Sequence, residues 1–252
     1  MQTMVDLDRL TTKVGYLRRA GIILLLYLVH SHLYNYIGVH AVSNNLNLMT
    51  GFDRLFPFIP VMVYPYMSLY VGIFLVAMLL KGKDFLHFVG MLITIELITY
   101  PVFYFFPAVY PMPQFEANNF TTRFLQWCFQ ADVHNNTFPS LHVSLAMGTA
   151  LVINNRHKKA GKAAILWAVV VAFSTVLVKK HFFIDVMGGL VVAQAAYSLT
   201  VKNEYMEKWL NELEQKWQKA PERMAIMLNK LNTDNLQHSK AFTLLFIFLG
   251  LK

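Results

Sequence analysis

The stretch Ser174-Thr175-Val176-Leu177-Val178-Lys179-Lys180-His181-Phe182-Phe183-Ile184-Asp185 joins two apolar runs, residues 163–178 and 182–201. Two such runs with a short cationic corner between them read as a pair of membrane helices that reverse direction at Lys179 and Lys180. Outward from this corner, residues 20–39, 58–80, 85–106 and 138–153 are apolar as well, which makes six spans. The chain has 252 residues, 56% of them hydrophobic and 14% charged, a balance far from that of an ordinary soluble domain. The expected fold is therefore all-α: a polytopic six-helix transmembrane bundle over residues 1–201, followed by a cytoplasmic amphipathic tail over 202–252. At 1.5 Å per residue the runs 138–153 and 163–178 are short for a hydrocarbon core of roughly 30 Å, so each is expected to extend beyond its apolar limits.

Charge orients the bundle. With the N-terminus in the cytoplasm, Arg9, Lys13, Arg18, Arg19, Lys81, Lys83, Arg156, Lys158, Lys159 and Lys162 lie inside, and only Arg54, Arg123, Lys179 and Lys180 lie outside. This is a positive-inside bias, and an even number of spans returns the C-terminus to the cytoplasm. Most of the net charge of +8 comes from these flanking residues. No basic face interleaved with aromatics is left to suggest nucleic acid. The run 20–39 is long for a signal peptide and lacks a small-x-small cleavage site, so it reads as a retained span. Cys128 is the single cysteine, which excludes an internal disulfide.

Two external segments result, 38–57 and 107–137, and the second, rich in Pro, Asn and aromatic residues, is a candidate lid. In the tail, Trp209, Leu210, Leu213 and Trp217 recur at helical spacing among Glu and Lys, the pattern of a helix lying on the inner membrane surface. Residues 241–251 are apolar but too few to span, and are expected to dip into the interface.

Ionisable groups beside apolar spans are expensive, and three of them converge. His142 opens the fourth span in Phe138-Pro139-Ser140-Leu141-His142-Val143-Ser144, while His181 and Asp185 open the sixth. Both spans run from outside to inside, so these residues share one face of the membrane. Four-residue spacing places Asp185 one turn beyond His181, able to hold one imidazole nitrogen and leave the other nucleophilic. His142 supplies an acid. Lys179 and Lys180, the backbone amides at the two helix starts and the Ser140 hydroxyl make an anion cradle. His30, His32, His87 and His157 read as interfacial or hydrogen-bonded histidines.

At these residues the sequence resembles the type 2 phosphatidic acid phosphatase superfamily, which also contains vanadium haloperoxidases and inositol phosphorylceramide synthases. Pro139, Ser140 and His142 match its second motif, and Ser174, His181 and Asp185 match its third. Phe-Pro-Ser-Leu-His-Val over 138–143, Phe52-Asp53-Arg54 ahead of Pro57-Phe58-Ile59-Pro60, and Asp132 ahead of Asn136 are similar to the inositol phosphorylceramide synthase-like branch. The resemblance covers roughly residues 50 to 190. It implies a phosphoenzyme mechanism in which His181 attacks phosphorus, Asp185 orients it and His142 protonates the leaving lipid oxygen, with no metal or other cofactor. Ser174 and Ser140 would join the phosphate ligands.

The sequence departs from the superfamily at its cations. Met112 stands where the first motif has Arg, Phe105 where it has Lys, and Thr175 where the third motif has Arg. Lys179, Lys180 and Arg123 are the cations available to replace them. The expected protein is thus an integral multi-pass membrane enzyme of an inner membrane or endomembrane, hydrolysing a lipid phosphate or diphosphate at its extracytoplasmic face. Its partners are that substrate and membrane lipids. The alternatives are a lipid headgroup phosphotransferase and a non-catalytic binding or transport protein.

Overall fold

The computed structural model describes residues 2–42, 45–215 and 219, with side chains from Gly15 onward. Up to residue 200 the α-helices are, in order, α1 Gln2–His40, α2 Val63–Leu79, α3 Gly82–Phe105, α4 Phe120–Gln130, α5 Leu141–Arg156, α6 Lys158–Leu177 and α7 Phe183–Thr200. No strand occurs among the described residues, only isolated bridges that tie Ala108 to Leu46 and to Asn136.

Among the described residues, five segments are long and apolar enough to cross a membrane: Gly15–His40, Pro60–Leu79, Gly82–Phe105, Lys158–Leu177 and Phe183–Thr200. They make this a membrane protein. The fourth expected span, residues 138–153, is the exception, because α5 has 16 residues. Its apolar run begins at Phe138, but Pro139 has no N–H to give a helix, and Ser140 caps the start instead, accepting from the Val143 N–H at 3.4 Å. The helix therefore begins three residues later than its hydrophobicity does. At the other corner α6 starts at Lys158, five residues ahead of its apolar run, and so reaches 20 residues.

Small residues set how closely the helices approach. A Cβ at Gly161 would lie 2.3 Å from the Asn154 Cα, which pins α6 to α5 at their hairpin. At Gly189 a Cβ would meet the Ser140 carbonyl oxygen at 2.6 Å and Val143 at 2.9 Å, so α7 lies backbone against backbone on the start of α5. Such contacts are the means by which helices associate where lipid removes the hydrophobic drive between them. Behind them, Phe85, Phe88, Met91 and Ile95 of α3 interlock with Ala146 and Ala150 of α5, Val171 of α6 and Ala196 of α7 in one buried cluster.

The segment 107–137, read from sequence as a loop, contains α4 and is docked. Asn119 caps α4 through the Thr122 N–H at 3.0 Å. Leu125, Cys128 and Phe129 then pack against Val63 and Tyr66 of α2 and Val178 after α6. The two ends of the segment are stitched together where the Thr137 N–H donates to the Ala108 carbonyl at 3.2 Å.

The tail begins as a helix over 204–215. Leu210 is buried there, with Met206 and Leu213 packed against the same core. Glu207 meets His87 at 3.0 Å and pairs with Lys83. The described part of the tail thus docks on the start of α3, where Glu207 finds partners on the bundle. Trp209 remains exposed. Trp217 and residues 241–251 lie outside the described residues.

Replacing Gly189 with Val is expected to lower stability by about 1–3 kcal/mol, the range of overpacking substitutions, read as an earlier thermal midpoint in detergent. Gly90→Val serves as the control, since a Cβ at Gly90 would meet no neighbouring side chain within 4 Å. It is expected to shift the midpoint far less.

Candidate active site

The site grows from the corner between α6 and α7. After α6 the chain turns through Lys179, whose φ of 60° is the left-handed conformation. The Lys180 and His181 N–H groups both return to the Thr175 carbonyl, at 3.0 and 3.2 Å. This places His181 immediately before α7 and points its ring back at that helix. The Asp185 carboxylate, fully buried, accepts the Phe182 N–H through Oδ2 at 2.8 Å, and the same oxygen lies 3.4 Å from His181 Nδ1. One carboxylate therefore closes the first turn of α7 and holds the imidazole.

α5 brings the second histidine. The Ser140 N–H donates to the Asp185 carbonyl at 2.9 Å, which locks the two helix starts together. Two residues later His142 faces the corner, its ring centroid 6.2 Å from that of His181. Tyr66 stacks on His142 at 4.1 Å and 17°, and Tyr70 meets its edge at 5.9 Å. His142 Nε2 and Asp185 Oδ1 are buried and have no hydrogen-bond partner among the described residues.

A cavity of about 970 Å³ opens in front of the histidines. Lys179, Lys180, His181 and His142 line one end of it, with Tyr110 and Asp132. Both lysines are held by the protein. Lys180 Nζ donates to Asp132 Oδ2 at 2.8 Å and to the Cys128 carbonyl at 3.2 Å, and lies 4.4 Å from the Phe129 ring centroid. Asp132 Oδ1 in turn accepts the Tyr34 hydroxyl at 2.9 Å. Lys179 Nζ donates to the Phe56 carbonyl at 2.5 Å.

The remaining sequence-derived residues sit elsewhere. Ser140 is buried as the α5 cap, and Ser174 donates to the Val171 carbonyl at 2.6 Å inside α6. Thr175, in the position of the superfamily's Arg, bonds the Ala172 carbonyl in the same way. Arg123 is on the exposed side of α4, its Nε donating to the Ala117 carbonyl at 3.3 Å. None of these lines the cavity, nor does Asp185, which acts on it through His181. Of the cations named from sequence, the structure gathers Lys179 and Lys180 at the histidines and leaves Arg123 away from them.

Three supports of the site fall outside the site residues expected from the sequence, although the first of them stands in the Phe52-Asp53-Arg54 stretch of the resemblance. Asp53, buried in a 3-10 turn over Gly51–Leu55, accepts the Phe183 N–H at 2.7 Å and so fixes the start of α7 from outside. Burial pushes its carboxyl up, but the bonds from Phe183 and Thr50 and the charge of Lys179 bring it below its ordinary value. Burial lowers the Lys179 ammonium, with Asp53 acting against that shift. Tyr110, whose ring lies 4.3 Å from that of Phe182, is pushed up to about 12 by burial and by the carboxylates Asp53 and Asp185. The Tyr66–Tyr70 pair and Tyr34 are the other two supports, and only the crowding of aromatics into the second span and the end of the first hints at them. Cys128 is a buried thiol, raised by that burial. Among the described residues, no group of three or more His, Cys, Asp or Glu is arranged to hold a metal ion.

A model of the PAP2 superfamily matches residues 36–199. The chain belongs to the PAP2 superfamily. The match runs from the end of α1 through α7, so it contains both histidines, Asp185 and the two lysines. Comparison with curated proteins and with solved structures gave no match. Members of the PAP2 superfamily are generally phosphatases or related enzymes.

Asp132→Asn leaves the buried Lys180 ammonium without its counter-charge and is expected to destabilise this PAP2 protein by roughly 3 kcal/mol. Adding Lys180→Met should recover part of that loss, since both charges are then gone. The two thermal midpoints measured in detergent check it, and a double variant no more stable than Asp132→Asn would mean that the pair is not the cause.

Proposed function

We propose that the protein is a lipid phosphatase that works through a phosphohistidine on His181. The observation that carries this reading is the His181–Asp185 contact at 3.4 Å with His142 across a cavity from it. With Nδ1–H directed at Asp185, the lone pair of His181 Nε2 is available to phosphorus. As the P–N bond forms, the P–O bond to the lipid breaks and His142 delivers a proton to the departing oxygen. In the second half, His142 takes a proton from water as the water oxygen bonds to phosphorus and the P–N bond breaks. Lys179 and Lys180 lie at the same end of the cavity, where their charge favours the phosphoryl oxygens.

The surroundings support this substrate class: a phosphate headgroup at the histidines and a tail in a largely apolar cavity between membrane helices. The distribution of Arg and Lys favours an extracytoplasmic position for the site. A second reading is transfer of the phosphoryl-linked headgroup to an alcohol in place of water. It is favoured by the likeness of residues 50–190 to the inositol phosphorylceramide synthase-like branch and by Met112 and Thr175 at arginine positions.

His181→Ala is expected to reduce phosphate release from lipid phosphates at least about 1,000-fold, as loss of a nucleophile does, and His142→Ala about 100-fold or more. Phosphate release from a panel of lipid phosphates by purified protein measures both, and unchanged turnover by His181→Ala would sink the assignment. Acid-labile label retained on the protein from a phosphorus-labelled substrate, and lost in His181→Ala, identifies the intermediate. Formation of a new phosphodiester on addition of inositol or another alcohol would favour transfer over hydrolysis.

A further inference from the structure

The 11 residues of α4 are too few to cross a bilayer, and the helix is covered on one side only. Its face with Leu125, Cys128 and Phe129 is packed on the bundle. Another face carries rings that the bundle leaves uncovered: Phe120 is 76% exposed and Trp127 55%. Phe124 stands between them, its ring 6.3 Å from that of Phe120 at 9° and 5.9 Å from that of Trp127 at 11°. Spacings of four and three residues keep the three rings on one side of the helix, as a continuous strip. The phosphoryl chemistry at His181 and His142 uses none of them.

The level of the strip is fixed by α2. Tyr64 lies near the start of the apolar segment Pro60–Leu79, which is long enough to cross a membrane. Its ring stacks on Phe124 at 6.2 Å and 20°, and its hydroxyl is bonded to that of Thr121 at 2.9 Å. Tyr64 and Val61 are themselves exposed, so the strip continues the surface that this segment presents to lipid. The residues that seat α4 run from Thr121 to Phe129, about 12 Å along its axis, but on α2 only from Val63 to Met67, about 6 Å. α4 therefore crosses the end of α2 and does not extend it out of the membrane. Arg123, three residues after Phe120 and four before Trp127, stands exposed beside the rings. Aromatic rings flanked by an arginine are the composition of the interfacial belt, where rings sit among headgroups and the guanidinium reaches lipid phosphates.

We propose that α4 is an interfacial helix whose strip of Phe120, Phe124 and Trp127 is inserted among the lipid headgroups at the histidine end of the bundle. The partner that covers the strip is that lipid surface. A soluble protein or a second copy of the chain would have to displace lipid from a strip stacked on the first turn of a span. The inference goes beyond the proposed function and stands without it. Its consequence for the site is positional. The carbonyl of Cys128, next to Trp127, accepts Lys180 Nζ at 3.2 Å, and Trp127 lines the cavity. An inserted strip thus holds the corner that carries His181 at the depth of the headgroups.

Cys128 is the chain's single cysteine and is buried, so a cysteine introduced on the strip takes a label selectively. Full-length Phe120→Cys carrying nitrobenzoxadiazole is placed in nanodiscs of phosphatidylcholine and phosphatidylglycerol, both faces of which are open to solvent. Quenching is read with lipids bearing a doxyl group high on the acyl chain or near its end, and with aqueous iodide. The shallow doxyl lipid is expected to quench at least about twofold more than the deep one, as for a helix face seated roughly 5–10 Å into the headgroup–acyl boundary. Iodide should reach this label at least about threefold less well than one on Glu116→Cys, an exposed position ahead of α4. Trp127→Cys, labelled in the same way, is the second position and should give the same order.

A label at 120 that iodide quenches as readily as one at 116, with no response to either doxyl lipid, puts the strip in water and overturns the proposal. So does a label reached by neither iodide nor doxyl lipid, because a second copy or another protein then covers the strip. Stronger quenching by the deep doxyl lipid than by the shallow one overturns it as well. Where Phe120→Cys does not fold, the same outcomes at Trp127→Cys decide. The measurement needs no turnover, so the two readings fail separately. A shallow strip on a protein inactive towards lipid phosphates would overturn the phosphatase alone, and an active phosphatase with its strip in water would overturn this proposal alone.

Discussion

The contact between the starts of α5 and α7 is the constraint on which the rest depends. The Ser140 N–H bonded to the Asp185 carbonyl, with no side chain at Gly189 to hold the helices apart, puts two helix N-termini side by side. Each carries a histidine within its first turn or just before it. Without this approach, His142 and His181 would be two unrelated polar residues at the ends of membrane helices. Asp185 belongs to both systems, since its carbonyl joins the helices while its carboxylate holds the His181 ring.

Around that joint the charges are arranged in pairs. Lys180 is held between Asp132 and a carbonyl, Asp53 caps the start of α7 from a separate turn, and Lys179 reaches the backbone of Phe56. Under the proposed function, cations held in this way are already directed before a phosphate headgroup arrives, so little reorganisation is left for the binding step. The pairing also limits how far they can move towards it. The docked α4 segment contributes Asp132 and Cys128 to this network, which makes it a structural wall of the site.

The spans are legible in the sequence because hydrophobic length is a local property, and the histidine pair because its motif is short and its topology simple. The start of α5 is not, since the apolar run overrides the signal of Pro139 and Ser140 until the cap is seen. Arg123 shows the other limit: charge and segment place it on the outer side, but which face of α4 it occupies depends on Leu125, Cys128 and Phe129 burying the opposite one. Asp53 lies 130 residues from the Phe183 N–H it accepts, and no local pattern announces a cap supplied from such a distance.

α1 turns many of its apolar side chains outward, Leu24, Leu25, Leu28 and Val29 among them. In lipid such residues give no reason to stay beside a neighbouring helix, because acyl chains replace them at little cost. What holds α1 against the bundle is the packing of Ile22, Ile23, Leu26 and Ile37 on the core together with polar fastenings: Arg19 to the Met78 carbonyl, His30 to Glu96 and Tyr100, Tyr34 to Asp132, and Asn135 and Asn136 to the carbonyls of Gly38 and Tyr34. Spaced along one helix, these act as the teeth of a key. They set the axial register of α1, and a sideways parting from the bundle breaks them together with that packing.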